Sequence, residues 1–153
     1  MRELFGNKKG FTLIELLIVV AIIGILATLL MANFIGVRQR ARDAQRKSDI
    51  RQIQSALELY RSDQSIYPTT AQFPSCGTAL TGGTPTVTYM SKVPCDPFGS
   101  GTGYNNGSYY YSSNGSTYTL GACLENTSDS QGTATSPGSS GCSSNWYYVV
   151  TNP

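Results

Sequence analysis

The chain has 153 residues, no histidine and a net charge of only +2, which leaves room for one modest domain. Without histidine there is no Ser-His-Asp or Cys-His nucleophile and no imidazole metal ligand, and so small a net charge gives no general attraction for nucleic acid. Charge is nevertheless uneven: Arg2, Lys8, Lys9, Arg38, Arg40, Arg42, Arg46, Lys47, Arg51 and Arg61 precede Ser62, and beyond it Lys92 alone faces Asp63, Asp96, Glu125 and Asp129, so the two halves meet different surroundings.

Met1–Gly10 reads as a short leader carrying Arg2, Lys8 and Lys9 against Glu3. Behind it, Phe11 to Ile35 is an apolar run whose only charge is Glu15. As a helix this run is about 37 Å long, enough to cross a bilayer. It exceeds the core of an ordinary secretory signal and passes without a proline into a charged, periodic segment. The bias of bases toward the cytoplasm keeps the leader inside. The basic cluster Arg38 to Arg51 opposes that bias if it lies outside, but the cysteines beyond it argue for an oxidising exterior. An acid near the start of a spanning helix calls for a partner. Lys9 is six residues from Glu15, a poor helical match. A free α-amine made by cutting just before Phe11, on a neighbouring chain, would supply the positive charge; the alternative is a surface acid that snorkels to the interface.

Lys8-Lys9-Gly10-Phe11-Thr12-Leu13-Ile14-Glu15-Leu16, continuing through Leu17 to Ala27, resembles the prepilin processing motif of type IV pilins and type II secretion pseudopilins. The resemblance implies that a membrane peptidase cuts after Gly10 and methylates the new amine of Phe11, and that Glu15 aligns subunits during assembly. The partners it implies are identical and minor pilin subunits, the prepilin peptidase/methylase, an inner-membrane assembly platform and, before assembly, the membrane itself. It implies a single-pass protein of the cytoplasmic membrane with its C-terminus outside. That protein is then incorporated into an extracellular pilus or a periplasmic or cell-surface pseudopilus. Ala32 stands where many members of the family carry a helix-kinking proline.

No proline follows until Pro68, so the helix is predicted over residues 11–62, with 11–35 spanning the membrane and 63–153 forming an extracytoplasmic head. Val37, Ala41, Ala44, Ile50, Ile53, Leu57 and Tyr60 trace one face at helical spacing, and that face is expected to pack on the head. Arg38, Arg42, Arg46, Asp49 and Glu58 are expected on the opposite face, toward water or neighbouring subunits. Such a helix would be about 78 Å long. A basic stretch of this kind is also a way to grip anionic lipid or DNA, although no aromatic residues interleave it as nucleic-acid stacking would require.

Ser62-Asp63-Gln64-Ser65 has turn composition, and Tyr67-Pro68 stops the helix. Residues to about Thr86 read as loop. Val87 to Met90 is a weak strand candidate. Tyr109-Tyr110-Tyr111 and Thr117-Tyr118-Thr119-Leu120 flank Asn114-Gly115, which signals a type I′ hairpin, and Trp146 to Thr151 would complete an antiparallel sheet. Asn126 to Gly141, rich in serine, glycine and threonine, would be mobile without a disulfide between Cys123 and Cys142.

Cys76, Cys95, Cys123 and Cys142 are spaced by 19, 28 and 19 residues with no CxxC pair, a pattern better suited to two disulfides than to zinc. Three pairings are possible; Cys76–Cys95 with Cys123–Cys142 is favoured, because near neighbours close first. Each would be worth about 3 kcal/mol in the chain-entropy account.

Ala56-Leu57-Glu58-Leu59-Tyr60, Tyr67-Pro68-Thr69 and Val93-Pro94-Cys95-Asp96-Pro97-Phe98-Gly99 are similar to segments of the major pseudopilins. That resemblance implies calcium in the β-rich region, for which Asp96, Glu125, Asn126 and Asp129 are the oxygen donors; they do not form an EF-hand loop. No other cofactor is expected. The sequence therefore points to an α+β pilin fold: a long transmembrane assembly helix packed on a small, disulfide-stapled antiparallel sheet. The expected function is a non-enzymatic filament subunit. The competing reading is a monomeric, membrane-anchored surface binding module, an adhesin or DNA-binding protein.

Overall fold

The computed structural model describes residues 10–98, 107–138 and 141–152. The leader Met1–Lys9 and Gly99 of the Asp-Pro-Phe-Gly segment lie outside the described residues. The chain forms two compact units, Met1–Val37 and Arg38–Pro153. One helix, α1 (Leu13–Gln64), contributes to both.

In the first unit, α1 holds Leu13–Met31, a stretch of mean hydropathy 2.9 that is long and apolar enough to cross a membrane. Its large side chains, from Leu13 to Met31, are exposed. Leucine, isoleucine and valine exposed on all sides of a helix are stable in lipid and costly in water.

In the second unit, here called the head, α1 ends where its sequence loses helix formers. The amide of Ser65 donates to the Arg61 carbonyl at 2.8 Å, and Ser65 takes a left-handed φ of 64°. Tyr67-Pro68 then leads the chain away, because proline disfavours helical geometry at the residue before it. Two antiparallel sheets follow. The first pairs β1 (Leu80–Gly82) with β2 (Val87–Met90), so the segment expected to be loop up to Thr86 contains a short strand. The second has the order β3 (Tyr110–Ser113), β4 (Tyr118–Cys123), β5 (Tyr147–Thr151). Aromatic and β-branched residues dominate β5, as the strand preference requires.

The β3–β4 connection differs from the type I′ turn expected for Asn114-Gly115. Ser113 pairs with Tyr118, leaving a four-residue loop. Gly115 has a positive φ of 91° but Asn114 does not, whereas a type I′ turn needs both. Asn114 instead uses its side chain: Oδ1 accepts the amides of Ser116 and Thr117 at 3.0 and 2.9 Å.

The core lies between α1 and one face of the β3–β4–β5 sheet. Ile50, Ile53 and Leu57 of α1 and Leu120 and Ala122 of β4 are fully enclosed, with Tyr60, Tyr67, Tyr111 and Tyr118 around them. The second sheet face is covered too. Cys123, Cys142 and Tyr147 form a separate buried cluster, with Tyr110 and Val149 against it, and Pro137 packs over Gly121. Thr133 exchanges two 2.8 Å backbone bonds with Tyr147. Residues 126–138 of the segment expected to be mobile without a Cys123–Cys142 disulfide are thus a second layer on the sheet. Disulfides join Cys76 to Cys95 and Cys123 to Cys142.

One expectation for α1 is corrected. Val37, Ala41 and Ala44 are exposed, while Asp43, Arg46 and Asp49 are buried. The buried stripe does follow Ile50, Ile53, Leu57 and Tyr60, but toward the N-terminus it continues through 46 and 43, at the same spacing of three and four. Those positions carry charge, and burial is tolerated because each charge finds a partner.

Candidate assembly site

The N-terminal site is built by the first turn of α1. Gly10 and Phe11 are exposed. A Cβ placed on Gly10 would meet nothing within 4 Å, so no described residue demands glycine there. Thr12 is the N-cap. Its hydroxyl accepts the Glu15 amide at 3.3 Å, and Glu15 Oε2 accepts the Thr12 amide at 2.9 Å and the Thr12 hydroxyl at 2.7 Å. This reciprocal arrangement is a capping box, which the Thr-x-x-Glu spacing signals; a search of the sequence for a basic partner of Glu15 passes over it, because Thr12 is not a base. Both Thr12 donors use Oε2. Among the described residues Oε1 accepts nothing, so one carboxylate oxygen at the head of the helix is open to a cation.

A second polar constellation lies in the head, where α1 meets the segments around Asp96 and after β4. Arg46 is fully buried. Its Nε and Nη2 donate to Asp96 at 2.8 and 2.9 Å, and Nη1 donates to Asp43 at 2.8 Å and Glu125 at 2.7 Å. Asp43 also accepts the amides of Glu125 and Asn126 at 2.9 and 2.8 Å. Arg42 forks onto Glu125 and lies over the Phe98 ring. Lys47 reaches Asp129 at 2.6 Å. Hydrogen bonds from Arg42 hold the Glu125 carboxyl below its ordinary range, and the bond from Lys47 does the same for Asp129. Asp49 accepts the Tyr109 hydroxyl at 2.6 Å. Glu58, expected to face water or neighbouring subunits, accepts the hydroxyl of Tyr67 at 2.9 Å.

The four donors expected for calcium are therefore not brought together as one ligand set. Asp96 and Glu125 share Arg46, Asp129 lies on Lys47, and the Asn126 side chain accepts the Ser128 amide at 3.2 Å. Among the described residues no group of three or more acidic, cysteine or histidine side chains is arranged to hold a metal.

The prokaryotic N-terminal methylation motif matches residues 6–31, and the type II secretion system protein G family matches residues 33–136. The chain belongs to the type II secretion system protein G family. It is a pseudopilin, a structural subunit by family. Type II secretion system core protein G of Escherichia coli K12 is 34% identical over 103 residues, covering 61% of this chain and 68% of that protein. The corresponding proteins of Vibrio cholerae and Klebsiella pneumoniae are 36% identical over 98 residues and 33% over 100, covering 67% and 71% of their lengths and 61% of this chain in each case. No solved structure matches the chain. In this pseudopilin the family match ends at residue 136, so Cys142 and β5, which complete the sheet and its disulfide, lie beyond it.

Proposed function

We propose that this pseudopilin is inserted in the cytoplasmic membrane by Leu13–Met31 with its head outside. There it is cut after Gly10, methylated on the amine of Phe11 and polymerised through α1 into the pseudopilus of a type II secretion system. The observation that carries this reading is the capping box beside the cleavage position. Glu15 starts the helix through Oε2 and leaves Oε1 unengaged among the described residues, one helical turn from the residue whose amine cleavage would free. An ammonium at a helix N-terminus is opposed by the helix dipole. A carboxylate from a neighbouring copy, in a low-dielectric surrounding, offsets that and fixes the axial register of one subunit on the next.

The chain does mechanical rather than chemical work in this reading. Its partners are copies of itself, minor pseudopilins, the peptidase that processes it and the inner-membrane assembly platform; no nucleic acid is required. Disulfides fit a head on the oxidising side of the membrane.

Intact-mass and N-terminal peptide mass spectrometry on protein from native membranes tests it. The expected species begins at methylated Phe11 and is lighter by the hydrogens of two oxidised thiol pairs. A chain that retains Met1, or is cut beyond Ala27, would remove the assembly reading.

A further inference from the structure

The family resemblance implies calcium in the β-rich region, and the described residues at that place do not fit it. Calcium takes six to eight oxygens at about 2.3–2.6 Å. Both oxygens of Asp96 are held by Arg46, and both oxygens of Glu125 by Arg42 and Arg46. Asp129 gives one oxygen to Lys47 and the other to the Gln131 amide at 2.9 Å. A divalent ion on Asp96 or Glu125 would sit against a fixed guanidinium, or would have to expel a buried one; either is costly where water does not screen.

We propose that Arg46 is the head's own resident cation, and that this pseudopilin folds and keeps its shape without calcium. Its guanidinium stands where three chain segments converge. It ties α1 to the segment at Asp96 by a side-on pair of bonds and to the loop after β4 through Glu125, while Asp43 ties the backbone of that same loop to α1. The disulfide Cys123–Cys142 fixes the same loop covalently two residues earlier. A guanidinium stays charged at every pH a protein meets, and its planar fork matches carboxylate geometry. Loop order that elsewhere would require a bound ion is here written into the chain. The inference concerns the fold of the head alone and does not rest on the secretion reading.

The test is thermal unfolding of the full chain in detergent, with disulfides intact, in excess chelator and again in millimolar calcium. The two melting temperatures are expected to coincide. A rise in calcium beyond the scatter of replicate scans would overturn the proposal. Arg46→Gln is expected to lower the melting temperature by more than ~10 °C, since it leaves buried carboxylates without their cation; a melting temperature equal to the parent's would overturn it equally. Should Arg46→Gln not fold, Arg46→Lys serves in its place. It keeps the charge and loses the fork, and is expected to fold with a lowered melting temperature and no calcium response. A parent-like melting temperature or a calcium response in Arg46→Lys would overturn the proposal.

Discussion

Arg46 and Asp96, 50 residues apart in sequence, meet side-on, with Nε–Oδ2 2.8 Å and Nη2–Oδ1 2.9 Å. Asp96 also accepts the Phe98 amide at 2.9 Å through Oδ1 and donates its own amide to the Gly107 carbonyl at 2.7 Å. The pair therefore sets the helix against a segment that has little regular structure of its own. Asp96→Asn keeps the shape and one acceptor but removes the charge and one of the two parallel bonds. Breaking one side of a buried pair costs about 3–5 kcal/mol. A fall in the urea midpoint equal to that free energy divided by the slope is expected, with the slope itself unchanged; a parent-like midpoint would mean the pair is dispensable.

Alkaline pH should loosen the head through its tyrosines. Burial pushes the Tyr111 phenol up to about 12, and burial together with the Asp49 carboxylate pushes Tyr109 up further. Both are raised in the folded state, so the stability they contribute is complete below about pH 10, the unfolded value, and is lost as pH rises through the folded values. For Tyr111 alone that is on the order of 2–3 kcal/mol between pH 10 and 12. Unfolding midpoints measured at pH 9 and pH 11, values chosen to bracket this onset, should fall, and less so in Tyr109→Phe and Tyr111→Phe.

Gly132→Ala is expected to disturb the second layer of the sheet. A Cβ there would collide with the indole of Trp146, whose Nε1 donates to the Asp129 carbonyl at 3.2 Å. Overpacking of this kind costs about 1–3 kcal/mol. Trp146 is the only tryptophan in the chain, so its fluorescence reports directly: a red shift and stronger quenching are expected, together with faster proteolysis around Gly132.

That layer also marks where sequence reading stops. The apolar run, the Gly10-Phe11 junction and the pair of 19-residue cysteine spacings are local patterns, and each is legible as such. The burial of Arg46 and Asp43 is not, because hydropathy counts a charge as exposed unless its partners are known, and here the partners Asp96 and Glu125 lie 50 and 79 residues from Arg46. Strand β1 has three residues, too few for an alternation to stand out. The 126–141 segment has linker composition, yet its residues 133–138 are held by contacts with Tyr110, Gly121 and Tyr147 that only the folded sheet supplies. The Glu15 capping box was the opposite case: a local pattern present in the sequence but masked by the rarity of an acid in an apolar helix.

The two roles of Glu15 can be separated with two substitutions. Glutamine at this position still accepts from Thr12, so Glu15→Gln preserves the capping box and removes only the charge. Thr12→Val removes the hydroxyl that accepts the Glu15 amide and leaves the carboxylate. If Oε1 meets the amine of a neighbouring copy, Glu15→Gln should be cut and methylated normally, as intact mass reads, yet fail to cross-link into filaments or to support secretion. Thr12→Val should be cut, methylated and assembled, with a frayed first turn as its only cost. The reverse order, with Thr12→Val the more damaging, would mean that Glu15 serves the helix rather than the filament. Assembly would then draw its register from elsewhere along α1, where the exposed Leu16, Val20, Ile23 and Leu30 offer packing but no charge.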